Sequence, residues 1–199
     1  MAMRYSYDWF IRQFNQAKDT AEDFLLSVEE AYFLKRPAEH QWCIAESYQH
    51  LIKFGYIYHQ NIASHLSGNN TRTDSADKAF PPRWFWKKVA DYFEPPYRLR
   101  LKTISSMEPD ITADYNRREV LDEFMNLQDY FIVQLKEAKN KQIDLSGTKI
   151  PHPVVTLLKL TFPEYYQLTL AHQRRHQWQA EQTLLALKKE DGKADSGRR

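Results

Sequence analysis

With 199 residues, 28 basic against 26 acidic side chains and 14% aromatic residues, the chain holds enough apolar material for one sizeable core; five glycines are too few for an all-β protein rich in tight turns. The charges are interspersed, which excludes the clustered basic face of a nucleic-acid binder, and no apolar stretch approaches the ~20 residues of a membrane span. The single cysteine, Cys43, excludes an intrachain disulfide, and the first residues lack a signal-peptide apolar run, so the expected setting is cytoplasmic.

Helical periodicity begins between Tyr7 and Leu34, where Phe10, Phe14, Ala17, Ala21, Phe24 and Val28 step by threes and fours. Ser27-Val-Glu-Glu30 fits a capping box and predicts a break there, and Pro37 ends the segment. A second helix is predicted from Cys43 to Leu66. Its polar stripe (Glu46, Gln49, Lys53, Gln60) is narrow, so most of its circumference should be buried.

A long connection follows, Ser67 to Ile111. It opens on a polar run and holds a short predicted helix within 82–93. The aromatic residues Trp84, Phe85, Trp86, Tyr92 and Phe93 there would cap the core or wall a pocket. Arg98, Arg100 and Lys102 come next, a solvated edge or a greeting for an anionic substrate.

The third helix is predicted from Tyr115 to Lys139, with Val120, Phe124, Leu127, Phe131, Leu135 and Ala138 on one face. The fourth runs from Pro163, suited to a first turn, to Leu187. Strand signals are weak throughout. Residues 190–199 are polar and are expected to form a disordered tail, leaving 1–189 as one domain. The fold class expected is all-α, a four-helix bundle whose second and third helices need not be neighbours, because their connection is long enough to cross the bundle.

Two of the seven histidines, His172 and His176, lie four residues apart on the fourth helix. That spacing sets Cβ atoms roughly 5–6 Å apart, so both imidazoles can reach one ion at about 2.0–2.1 Å. Chance gives roughly 0.2 such pairs in a chain of this composition, so placement has to strengthen the spacing. It does. Tyr165, Thr169, His172, His176, Gln179, Thr183 and Ala186 form a heptad-like seam, while Arg174, Arg175, Glu181 and Gln182 lie off it and should be exposed.

On the second helix Cys43, Ser47, His50, Phe54, Ile57 and Asn61 form a similar seam, with His50 near its middle. Three inward imidazoles would hold one divalent metal ion and leave a coordination position open. Gln179, Ser47 and nearby tyrosines are candidates to orient the rings. His59 lies about 180° around the helix from His50, and His65 is about four turns away, so neither can share the site. Cys43 sits roughly 10 Å along the axis from His50, too far for a nucleophilic pair, and is expected to be buried and inert.

Gln-Arg-Arg separates the paired histidines, without the Glu that serves His-Glu-x-x-His metalloproteases as a base, so the metal itself would have to activate the nucleophile. Imidazole suits zinc and nickel, and also iron and copper; zinc or nickel is expected, with iron or manganese as alternatives.

Four stretches together resemble the DinB-like (DinB/YfiT) family of metal-dependent enzymes: Arg36-Pro37 through Trp42-Cys43 to His50-Leu51, His152-Pro153, Leu160-Thr-Phe-Pro-Glu164, and His172-Gln-Arg-Arg-His176-Gln-Trp-Gln179. The likeness spans roughly residues 10 to 190. Two departures stand out: Cys43 follows the tryptophan where the family often has serine, and Val154-Val155-Thr156 stand where a glycine often follows the His-Pro. The resemblance implies a four-helix bundle, one divalent metal on His50, His172 and His176, and a homodimer. It also implies a thiol S-transferase, which places a low-molecular-weight thiol on a small electrophile, or a hydrolase or isomerase. The residues leave open a catalytically silent bundle that keeps the metal for stability or sensing, and a purely structural bundle.

Overall fold

The computed structural model describes residues 3–68, 71–73, 78–96 and 103–196. Four long helices dominate: α1 (Tyr7–Ser27), α3 (Ile44–Leu66), α5 (Arg117–Asn140) and α6 (Phe162–Ser196). A single turn, α2 (Glu30–Phe33), follows α1, and α4 (Trp84–Phe93) lies in the long connection. α1 packs on α5 and α6, and α3 packs on the same two, which puts the successive long helices α1 and α3 diagonally across the bundle. This is the all-α four-helix bundle expected, with α3 and α5 joined by the long connection.

Three of the long helices, α1, α3 and α5, start at a side-chain cap. Ser6 Oγ accepts the Trp9 N–H, Asn116 accepts from Arg118 and Glu119, and Cys43 Sγ accepts from Glu46. The break after α1 falls at Val28 as expected, but by another device. Ser27 Oγ donates back to the Phe24 carbonyl, and Glu29 caps α2 without a side-chain bond, so no capping box forms there. Buried Val28 makes the turn by anchoring its side chain in the core.

The core falls into two clusters. One centres on aromatics from α1, α5 and α6, with Phe14 stacked on Phe131 at 4.8 Å and edge-on to Tyr166 at 6.0 Å. The other gathers Leu25, Phe33, Tyr48, Phe124 and Ala180.

Two features depart from the sequence reading. A two-stranded antiparallel hairpin, β1 (Lys149–Pro151) with β2 (Lys159–Thr161), joins α5 to α6. Helix α6 runs on to Ser196, through most of the stretch expected to be a disordered tail. Tyr32 Oη and Lys35 Nζ hold its Asp191 at 2.8 and 3.0 Å, tying the extension to the turn after α1. Residues 197–199 lie outside the described residues.

Candidate metal centre

The two histidine-bearing helices begin alike. The third residue of α3, Glu46, accepts the Cys43 N–H at 2.8 Å; the third of α6, Glu164, accepts the Thr161 N–H at 2.8 Å. An arginine then grips each carboxylate, Arg36 from the turn before α3 on Glu46 and Arg83 from the start of α4 on Glu164, the latter at 2.7 and 2.8 Å. Burial pushes both carboxyl pKa values up, but the arginines and amide donors outweigh it and hold them below the usual range. These grips set the rise and rotation of both helices. His50 follows Glu46 by one turn, and His172 and His176 follow Glu164 by about two and three.

The two seams meet. The ligating atoms of His50, His172 and His176 all lie within 4.8 Å of one another, and all three residues are buried. Ring centroids are 4.6 Å apart for His50–His176 and for His172–His176, and 5.1 Å for His50–His172. The Nε2 atoms of His50 and His172 are 2.9 Å apart, close to the roughly 3.3 Å that two imidazoles on one tetrahedral ion would adopt.

On the far side of its ring, His50 Nδ1 lies 2.8 Å from the Met107 carbonyl. A carbonyl only accepts, so Nδ1 carries the proton and Nε2 turns its lone pair toward the other rings, the tautomer a metal ligand needs. Burial lowers the pKa of all three. It drives His172 and His176 well below the ordinary histidine value, with repulsion among the rings and from Arg175 adding to it, while a hydrogen bond from the His176 ring to Gln179 partly offsets this at His176. All three are therefore neutral near pH 7. Nδ1 of His172 and of His176 has no hydrogen-bond partner among the described residues. Three neutral, convergent imidazoles form a donor set that fits a divalent ion.

Aromatic rings hold these planes. Phe54 stacks on His172 at 4.1 Å, and Trp42 lies 5.0 Å from His50 and 6.0 Å from His176. The histidines open on a cavity of about 870 Å³, and no acidic side chain is among the described residues lining it. Trp86, Val89 and Phe93 of α4 form one wall, and Ile104 and Met107 another. The aromatic cluster thus divides: Trp86 and Phe93 line the cavity, while Trp84, Phe85 and Tyr92 are exposed. Arg98, Arg100 and Lys102 lie outside the described residues.

Of the two side chains expected to orient the rings, Gln179 bonds His176 and lines the cavity. Ser47 does not serve. Its Oγ donates to the Cys43 carbonyl at 3.0 Å, closing a bond within its own helix. Cys43 is buried, and burial pushes its thiol up to about 11, which keeps it protonated. His59 packs on Tyr130 and Phe131, and His65 bonds the Asn61 carbonyl, both away from the three rings.

Arg175 corrects the reading of α6. It is only 4% exposed, because α4 covers the face that periodicity assigns to solvent, and its guanidinium sits 5.6 Å over the Phe93 ring. The sequence also passed over Tyr58 and gave His152 no role beyond the His-Pro likeness; both line the cavity. Tyr58 was detectable, since His50, Phe54 and Tyr58 repeat every four residues along α3. The Met107 carbonyl had no side-chain signal to give.

Comparison with known proteins adds three findings. A search of curated proteins gives no match. Among solved structures, the fold matches YfiT from Bacillus subtilis, described as "a probable metal-dependent hydrolase with an unusual four-helix bundle topology"; the TM-score is 0.60 and the identity 11%, over 94% of this chain and 91% of that one. A model of the DinB superfamily matches residues 13–180, the span that carries all three histidines, and this chain belongs to that superfamily.

Proposed function

We propose that this chain is a metal-dependent enzyme in which His50, His172 and His176 hold one divalent ion, zinc or nickel with iron or manganese as alternatives. It acts on a small electrophile as a hydrolase or a thiol S-transferase. One observation carries the reading: three buried imidazoles have their ligating atoms within 4.8 Å of one another. When bound, the ion supplies Lewis acidity and lowers the pKa of a water or thiol beside it.

The chain's own residues do the rest. The Met107 carbonyl fixes the His50 tautomer, and Gln179 braces His176. Trp42, Phe54 and Phe93 pack against the rings and hold their planes. A cavity of about 870 Å³ falls in the range for small-molecule sites. The lack of a carboxylate base among its described lining residues favours a nucleophile ionised in place, as a thiol would be. The description of YfiT supports the hydrolase arm. We place the protein in the cytoplasm as a homodimer, which light scattering tests.

The deciding measurement is elemental analysis after exhaustive dialysis. About one equivalent of divalent metal is expected in the wild type and almost none in His172→Ala. An equal content in both would refute the site. Loaded protein is then screened with low-molecular-weight thiols against electrophiles, and with simple esters and amides. Full metal with no turnover would favour the catalytically silent bundle.

A further inference from the structure

In the same cavity as the three histidines, Tyr58 and His152 form a second polar pair that the metal centre does not use. Phe54 stands between, stacked on Tyr58 at 4.0 Å and on His172 at 4.1 Å. The hairpin holds His152 in place: its N–H donates to the Leu158 carbonyl at 2.8 Å just beyond β1. The backbone N–H groups of Val154 and Val155 reach His152 Nδ1 at 3.2 and 3.0 Å. An amide N–H can only donate, so Nδ1 is the unprotonated nitrogen and the proton of the neutral ring sits on Nε2. Nε2 lies 2.5 Å from Tyr58 Oη and donates to it. Tyr58 therefore receives a hydrogen bond there, and its own hydroxyl proton is left to donate elsewhere.

The phenol lines the cavity. The charge of that cavity says what it meets. No acidic side chain is among its described lining residues, and the buried Arg175 is one of them. We propose that Tyr58, oriented by His152, is the hydrogen-bond donor that anchors a carboxylate-bearing substrate with an apolar body in this cavity. The proposal rests on the metalloenzyme reading for the word substrate, and on the tyrosine–histidine geometry alone for the anchoring. Burial raises the Tyr58 pKa and lowers that of His152, which keeps phenol and imidazole in the forms this arrangement requires. In this role Tyr58 touches the substrate, and His152 is a positioning residue.

Benzoate is the probe, titrated by calorimetry into both metal-free and zinc-loaded protein. Tyr58→Phe is expected to weaken binding at least about fivefold in either form, as loss of a hydrogen bond to a charged acceptor should. His152→Ala should match that loss. His152→Gln, whose amide can place an N–H where Nε2 stands, should recover most of the wild-type affinity. Nitrogen-15 NMR of metal-free protein should find His152 protonated on Nε2. The proposal is overturned if benzoate fails to bind the wild type, if Tyr58→Phe binds it equally well, or if Nδ1 carries the proton. Failure of the metal reading is separate: the protein would retain no zinc, while the benzoate effect of Tyr58→Phe persisted.

Discussion

Single residues decide whether the three rings stay neutral. Burial is the main reason that His172 and His176 titrate well below the usual value of 6.5. In metal-free protein the unfolded chain takes up protons below that pH which the folded rings refuse. Stability should therefore fall as pH drops below about 6.5, by up to about 1.4 kcal/mol per pH unit for each ring. Glu46 and Glu164 act in the same direction at lower pH. Their pKa values lie below the unfolded 4.5, so their contribution is complete above that value and is lost as pH falls toward the folded ones. Urea midpoints of metal-free protein at pH 7.5 and 5.5 check the histidine part; equal midpoints would contradict it. Glu164 also invites mutation, since its side chain is fully buried against Arg83. Glu164→Ala leaves the Thr161 N–H and Arg83 without their acceptor, and should cost about 2 kcal/mol in denaturant unfolding.

At the scale of elements, the helices were legible because their seams are long. The predicted second helix, Cys43 to Leu66, misses the observed start by one residue, and the third, Tyr115 to Lys139, misses by two and one. The hairpin was not legible. Its strands are three residues long and one ends in Pro151, too short for an alternation to register. Arg175 was misread for a related reason. Amphipathic counting assumes one buried stripe, whereas α6 packs against α1, α3 and α4. Close approach of α3 and α5 is a third feature set between elements. A Cβ on Gly55 would stand 2.3 Å from Leu127 Cδ2, inside a core where Leu127 is wholly buried. Gly55→Ala should therefore destabilise the protein by about 1–3 kcal/mol, read as a lower melting temperature with the metal content unchanged.

For the molecule as a whole, the proposed ion is a cross-link between α3 and α6. Free zinc at a hundred times its dissociation constant should stabilise the fold by about 2.7 kcal/mol, and a chelator should reverse the gain. Thermal scans of wild type and His50→Ala separate this from non-specific binding, because the variant should show no such shift. Among the described residues no helix is long and apolar enough to cross a membrane. The Met107 carbonyl that steers His50 belongs to a short 3-10 turn, Ser105–Met107, beside Ile104, whose side chain faces the cavity. A ligand that displaced that turn would tilt one imidazole, and its binding would then be coupled to that of the proposed ion. By reciprocity, each would alter the other's affinity by the same factor.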